Sequence, residues 1–158
     1  MLADRKMNKE LRSLRIIHGS LLAHCFVFSA LVIYVVTQMP RTEIPDYKFA
    51  GTLLIPLIGI TVIGGFIIKP IYRRRLKNIQ ETMPLSERIL IYKSAIILIW
   101  SGIEGVILSA LIVYLVTSVY YMLIIGAFLI LVLIYLYPSD RRITEALKLS
   151  RSDKESQL

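Results

Sequence analysis

The sequence is poor in cysteine, in charge and in catalytic motifs. Its 158 residues include one cysteine, Cys25, so no disulfide can form within the chain. Only 19% of the residues are charged, against about a quarter in a soluble domain, and 56% are apolar. There is no phosphate-binding glycine loop, no HExxH, no GxSxG and no aspartate pair typical of intramembrane proteases. We therefore expect no catalytic residues, no metal and no cofactor.

The charged residues that are present lie almost entirely outside four long apolar runs. These runs cover approximately residues 16–37, 50–68, 94–117 and 120–137. Each run is close to the ~20 residues needed to cross a bilayer, and is apolar on every face of a helix. We expect an all-α membrane protein whose single domain, residues 1–158, contains four transmembrane helices. No room is left for a folded soluble domain.

Positive charge is segregated along the chain. All but two of the 19 Lys and Arg residues lie before the first run, in the surface loop at 69–93, or after the fourth run. The exceptions are Arg41 and Lys48. By the positive-inside rule, both termini and the 69–93 loop are cytoplasmic. This segregation also indicates that the net charge of +8 serves membrane topology and not nucleic-acid binding. Residues 150–158 are expected to form a flexible tail.

The apolar runs form an internal repeat. Residues 16–37 and 96–117 align without a gap at an offset of 80, and FSALVIYVVTQ in the first copy matches LSALIVYLVTS in the second. The runs that follow align at an offset of 68, where Pro70 and Pro138 each stand before a pair of arginines. Because both copies start in the cytoplasm, we expect two tandem hairpins related by an axis along the membrane normal.

Glu104 is the only acidic residue inside an apolar run, and His24 holds the same repeat position in the first run. A carboxylate at mid-membrane costs about 2.5–3.5 kcal/mol on insertion scales, so it needs a partner, water or a proton. We predict that His24 and Glu104 pair across the first and third helices. The pair is either a protonatable centre for transport or a structural polar bridge. In a further alternative, Glu104 is neutral and bonds to Ser101 or to a backbone carbonyl.

Small residues recur every four positions on the third helix, at Ser101, Gly105 and Ser109. This spacing lets two helix backbones approach closely, within one chain or between subunits. Gly19 and Ala23 repeat the spacing on the first helix. We interpret these positions as a packing surface for another transmembrane helix, either from a second copy of the chain or from an unknown subunit.

The densest positive charge is the run of Arg73, Arg74 and Arg75. We expect the second span to end at Pro70 and these arginines to follow on a basic helix at the membrane surface. There they attract anionic lipid head groups, at about 1 kcal/mol per basic residue. Docking to an acidic protein partner is the alternative.

Several further expectations concern helix ends and individual side chains. Ser86 is a candidate cap for the third helix. Trp100 resembles an interfacial anchor, although it lies somewhat deep in its run. Ile143 and Leu147 share a face that suits a helix lying on the membrane. His18 lies six residues before His24, a spacing at which two rings on one helix cannot share a metal.

Three local motifs mark the second half of the chain: Tyr92-Lys93, Ile103-Glu104-Gly105, and the stretch from Pro138 to Leu147. In these motifs the chain resembles a group of small four-helix integral membrane proteins of Bacteroidetes-type bacteria. The resemblance implies four helices in a bacterial inner membrane. It draws attention to Glu104 and to the Pro138 exit, and it assigns no activity.

These features predict a non-enzymatic inner-membrane protein that acts by helix–helix association, as a homo-oligomer or as an accessory subunit of a larger complex. The alternative is a small proton-coupled transporter with Glu104 as its protonatable site and His24 as the partner. Four helices are too few to enclose a path, so a transporter would be at least a dimer. A membrane enzyme is a third possibility, for which only Glu104 and two histidines are available inside the membrane.

Overall fold

In a computed structural model, the described part of the chain is all α-helical and has no strand. The described residues are 2–38, 47–80, 82–139, 142–143 and 146–147, with side chains described throughout except at 2–8 and 60–69. Within them lie four helices: α1 (Leu2–Gln38), α2 (Tyr47–Lys77), α3 (Leu85–Thr117) and α4 (Tyr120–Tyr135). The predicted tail at 150–158 lies outside the described residues.

Among the described residues, two helical stretches are long and apolar enough to cross a membrane: Lys9–Gln38 in α1, and Leu85–Thr117, which is all of α3. Tyr47–Gly59 in α2 and Tyr120–Tyr135 in α4 are shorter apolar stretches. Only 11% of the most apolar part of α1, and 33% of that of α3, is buried within the chain. Most residues in the apolar part of each helix are therefore not fully buried within the chain.

Helix α3 is central, because it packs along each of the other three helices. It runs parallel to α1, since Glu10 and Ser13 contact Lys93 near the start of α3 while His24 contacts Glu104 further along. In the described part of the chain, α1 and α2 make no extended contact with each other. The two helices of the first predicted hairpin are thus held by α3 and not by one another.

Helix α4 returns antiparallel along α3 after a link of two residues, Ser118 and Val119. Ser118 has the left-handed φ of 55°, and its N–H donates to the Tyr114 carbonyl at 2.7 Å, which ends α3. Further along, Gly126 faces Leu111: a Cβ at 126 would lie 3.5 Å from Leu111 Cδ2. The missing side chain at Gly126 therefore sets how closely α4 approaches α3.

A buried aromatic cluster joins α1, α3 and the end of α4. Trp100 is 0% exposed and its ring meets that of His18 edge-on, with centroids 4.7 Å apart. His18 Nε2 lies 3.0 Å from the Leu133 carbonyl oxygen, and its ring also meets Tyr137 edge-on at 5.6 Å. The expectation that Trp100 is an interfacial anchor is wrong, because neighbouring helices enclose its ring.

Helix boundaries differ from the prediction at two places. Helix α2 continues through Pro70 to Lys77. A proline removes one backbone hydrogen bond, and here the flanking turns carry the helix past it. Ser86 does not cap α3, which begins at Leu85 after Pro84 and has no side-chain cap. The Pro84 carbonyl instead accepts the first backbone N–H bonds of the helix.

The segment after α4 packs onto the protein itself. Ile143 and Leu147 are both buried, so the expectation that they face a membrane is wrong. Backbone helical hydrogen bonds link Ser139 to Ile143 and Ile143 to Leu147. Arg88 is also buried and donates to the carbonyls of Leu147, at 3.2 Å, and Met83, at 3.1 Å. These bonds tie the segment to the loop before α3.

The close approach of α3 and α4 predicts a size limit at Gly126. Gly126→Ala should be tolerated, because its Cβ would make an ordinary contact with Leu111. Gly126→Leu should destabilise the fold by about 1–3 kcal/mol through overpacking. Unfolding of the detergent-solubilised protein in a denaturant series would measure the change. Gly51→Leu is the control, since an added Cβ there meets no atom within 4 Å. Equal stability of the two leucine variants would contradict the packing described.

Candidate functional site

One strip along α3 is left open by the other helices. Successive helical residues are ~100° apart, so Ser101, Gly105 and Ser109 fall on one strip, and all three are exposed. A Cβ on Gly105 would meet no atom within 4 Å. The Ser109 hydroxyl donates to the Gly105 carbonyl of its own helix at 2.8 Å. These predicted packing residues, the open strip, are therefore not used between the helices of this chain.

The open strip lies between α1 and α2. On one flank Glu104 contacts α1, and Val113, which helical geometry places on the other flank, is buried. Leu111, which faces α4, lies about 120° around the helix from Gly105. Because α1 and α2 make no extended contact, they form the walls of an open groove whose floor is the open strip. Arg75 of α2 reaches across one end, where it donates to Ser94 Oγ at 3.0 Å.

A polar pair lies on the α1 side of the open groove. His24 Nδ1 is 2.8 Å from Glu104 Oε1. Either an Nδ1–H donates to the carboxylate or a protonated carboxyl donates to Nδ1, and the contact becomes an ion pair when His24 carries a second proton. The Glu104 side chain is 13% exposed and that of His24 is 56% exposed. The pair therefore covers the carboxyl group and leaves much of the imidazole ring open.

The remaining predicted positions are spread over two helices. Gly19 and Ala23 are exposed on α1. Arg73, Arg74 and Arg75 are exposed in the last turns of α2, where positive charge is favourable at the carboxyl end of a helix dipole. The exposed small residues of α1 and the arginines of α2 are therefore features separate from the His24–Glu104 pair.

A second polar contact between α1 and α3 was not predicted. Lys93 Nζ lies 3.0 Å from Glu10 Oε2 and 3.1 Å from Ser13 Oγ. Ser13 and Lys93 are 80 residues apart, as are His24 and Glu104. The repeat offset was the signal that could have located this contact, since matching positions lie at the same level on two parallel helices.

The site offers a polar link, a place to hold a proton and a surface for another helix. Among the described residues, no group of three or more His, Cys, Asp or Glu side chains could hold a metal ion. His18 and His24 have separate partners, the Leu133 carbonyl and Glu104.

Comparisons with known proteins found no similar protein: no protein-family model, no curated protein and no solved structure matches the chain.

If His24 and Glu104 stabilise each other, their substitutions should not be additive. We expect His24→Ala and Glu104→Ala to show a coupling free energy of about 1 kcal/mol in a double-mutant cycle, in the range measured for hydrogen bonds between membrane helices. Unfolding of the detergent-solubilised variants provides the measurement. As a control, His24→Ala combined with Glu87→Ala should be additive, because Glu87 is exposed in the first turn of α3. Additivity in both cycles would mean that the contact contributes nothing.

Proposed function

We propose that this chain is a non-enzymatic protein of a bacterial inner membrane that acts by binding other transmembrane helices. It spans the membrane four times and keeps both termini in the cytoplasm. Two features support a membrane location: the length and composition of α1 and α3, and the confinement of nearly all positive charge to the predicted cytoplasmic segments.

The exposed surface of the helices also supports a lipid environment. Large apolar side chains are exposed on α1, for example Phe26 and Leu31, and on α4, for example Ile124, Phe128 and Leu131. A monomer in water rarely exposes apolar surface over such an extent, because it would aggregate. In a bilayer the same side chains contact lipid tails at no cost.

The observation that carries the proposal is the open strip beside the His24–Glu104 pair. Small residues give a helix no advantage against lipid, but they let another helix backbone approach closely. A half-exposed imidazole is costly in hydrocarbon. A helix lying in the open groove would cover both features. That helix comes from a second copy of the chain, giving a homo-oligomer, or from another protein of which this chain is an accessory subunit.

We further propose that the chain is a duplicated hairpin with its two copies related by an axis along the membrane normal. The support is geometric: the contacts of Ser13 with Lys93 and of His24 with Glu104 both join residues 80 apart on parallel helices. Duplication places equivalent positions at equal depth.

Helix association predicts a difference between two glycine variants. Gly105→Leu should fill the open groove and abolish the oligomer or complex, while the chain itself stays folded because nothing lies within 4 Å of the added Cβ. Gly51→Leu is the control: an added Cβ there also meets no atom within 4 Å, and Gly51 lies on α2, outside the open strip. Native mass spectrometry of gently extracted protein would report particle mass. Particles of equal mass from both variants and the wild type would refute docking in the open groove.

Proton-coupled transport is the second candidate, favoured by the 2.8 Å contact between His24 and Glu104. A carboxyl group in contact with an imidazole can take up or release a proton within the membrane. The open groove would then be a dimer interface, and the substrate path would run between two copies of the chain.

Transport predicts that Glu104→Gln abolishes proton movement while the protein remains folded, because the amide keeps the shape of the side chain without titrating. Proteoliposomes containing a trapped pH-sensitive dye would report proton flux under an imposed gradient. Glu87→Gln, which also removes a carboxylate but outside the apolar run, is the control. Equal flux in wild-type and Glu104→Gln vesicles would exclude Glu104 as the proton carrier.

A further inference from the structure

A cavity of about 460 Å³ opens on the side of α3 opposite the open groove. It lies between α2, α3 and the segment that follows α4. Its walls include Tyr72, Tyr92, Ile96, Ile99, Leu136 and Arg142. None of these residues belongs to the open groove or to the His24–Glu104 pair, so the cavity is a separate feature of the fold.

The cavity is polar at one end and apolar at the other. Tyr92 and Ile99 are seven residues apart on α3, which is about 10 Å along the helix axis. The phenol of Tyr92 lies towards the basic entry of α3, together with Tyr72 near the end of α2. Ile96 and Ile99 lie further into the apolar run. This gradient matches an amphiphile whose head group lies at the membrane surface and whose chain follows the helix inwards.

Arg142 supplies positive charge at the polar end. Its Nη1 donates to the Tyr135 carbonyl at 2.8 Å, and its guanidinium carbon lies 4.7 Å from the centroid of the Tyr135 ring. A guanidinium has five N–H donors, so this anchored side chain keeps donors for a phosphate group. Among the described residues, no acidic side chain lines the cavity.

Tyr72 and Arg142 both line the cavity. Burial raises the pKa of the Tyr72 hydroxyl above its ordinary value, and the positive charge of Arg142 acts in the opposite direction. The Tyr72 hydroxyl is therefore a protonated donor at neutral pH. Within the described part of the chain, no hydrogen bond is formed by the Tyr72 hydroxyl, so it remains available to an oxygen-rich head group. Tyr92 is 3% exposed and forms part of the wall.

We infer that this cavity holds one anionic phospholipid, with its phosphate at Arg142 and Tyr72 and one acyl chain along Ile96 and Ile99. Basic pockets between helices at the cytoplasmic side of a membrane suit such head groups. The inference rests on the proposed membrane location. It differs from diffuse attraction by the exposed arginines at the end of α2, because it places one lipid at one position.

Native mass spectrometry of the detergent-extracted full chain tests this inference. The protein is titrated with phosphatidylglycerol, and separately with phosphatidylcholine of the same acyl chains. We expect one tightly retained phosphatidylglycerol per chain and weaker retention of phosphatidylcholine. Arg142→Gln should lower the affinity for phosphatidylglycerol about tenfold, as expected for loss of a charge-assisted hydrogen bond. Arg12→Gln removes the same charge from an exposed position on α1, away from the cavity, and should leave the affinity nearly unchanged.

Arg142 also contacts Tyr135, so circular dichroism and thermal melting must show that Arg142→Gln is folded. Tyr72→Phe provides a second variant that keeps the ring and removes only the hydroxyl, and it should lower retention severalfold. Equal weakening by Arg142→Gln and Arg12→Gln would overturn the inference, since binding would then be diffuse. Displacement of the lipid by free glycerol phosphate would overturn the lipid assignment. The same spectra report particle mass, so loss of lipid without loss of association leaves the proposed function standing.

Discussion

Helix α3 packs against the other three helices. These three neighbours do not surround it, so one side of α3 stays open. The constraint is geometric, because α1 and α2 both pack on α3 and make no extended contact with each other over the described residues. The open side carries Ser101, Gly105 and Ser109, the smallest side chains along that face. The packing of α3 therefore determines where another helix can approach. The small residues on its open side determine how closely that helix can lie.

The polar pair sharpens this constraint. Glu104 is covered by His24, but the imidazole itself is more than half exposed on the α1 wall of the open groove. A single chain in lipid would leave that ring partly unsatisfied, at a cost in free energy. Association through the groove would remove this cost by covering the ring. Proton-coupled transport would instead need the ring to stay accessible, so that it could exchange protons. Both proposals thus start from the His24–Glu104 contact. They differ in whether the pair is covered by another helix or exchanges protons.

Parts of this architecture follow from the sequence. Long apolar runs predicted the apolar helices, and the repeat offset of 80 paired His24 with Glu104, which are in contact in the structure. The order of helices around α3 did not follow, because runs that are apolar on every face do not indicate which face meets which neighbour. For the same reason, Trp100 was predicted at the membrane interface although it is buried between helices. The cavity at Arg142 also escaped prediction, since three segments distant in sequence build it.

The continuation of α2 past Pro70 has a different cause. Proline disfavours a helix locally, but the flanking turns and the packing of α2 on α3 outweigh one lost hydrogen bond. Local propensity was therefore a poor guide to the end of the helix. The arginines that follow Pro70 belong to α2 itself, and Arg75 closes one end of the open groove through its bond to Ser94.

The central claim is that another helix covers the open groove in the native membrane. The most direct measurement is the mass of the wild-type particle, extracted gently at native expression level and analysed by native mass spectrometry. The account predicts a particle heavier than the 18.1 kDa chain, either as a multiple of that mass or with a second protein present in fixed proportion. A homogeneous, folded 18.1 kDa monomer carrying only lipid would contradict it.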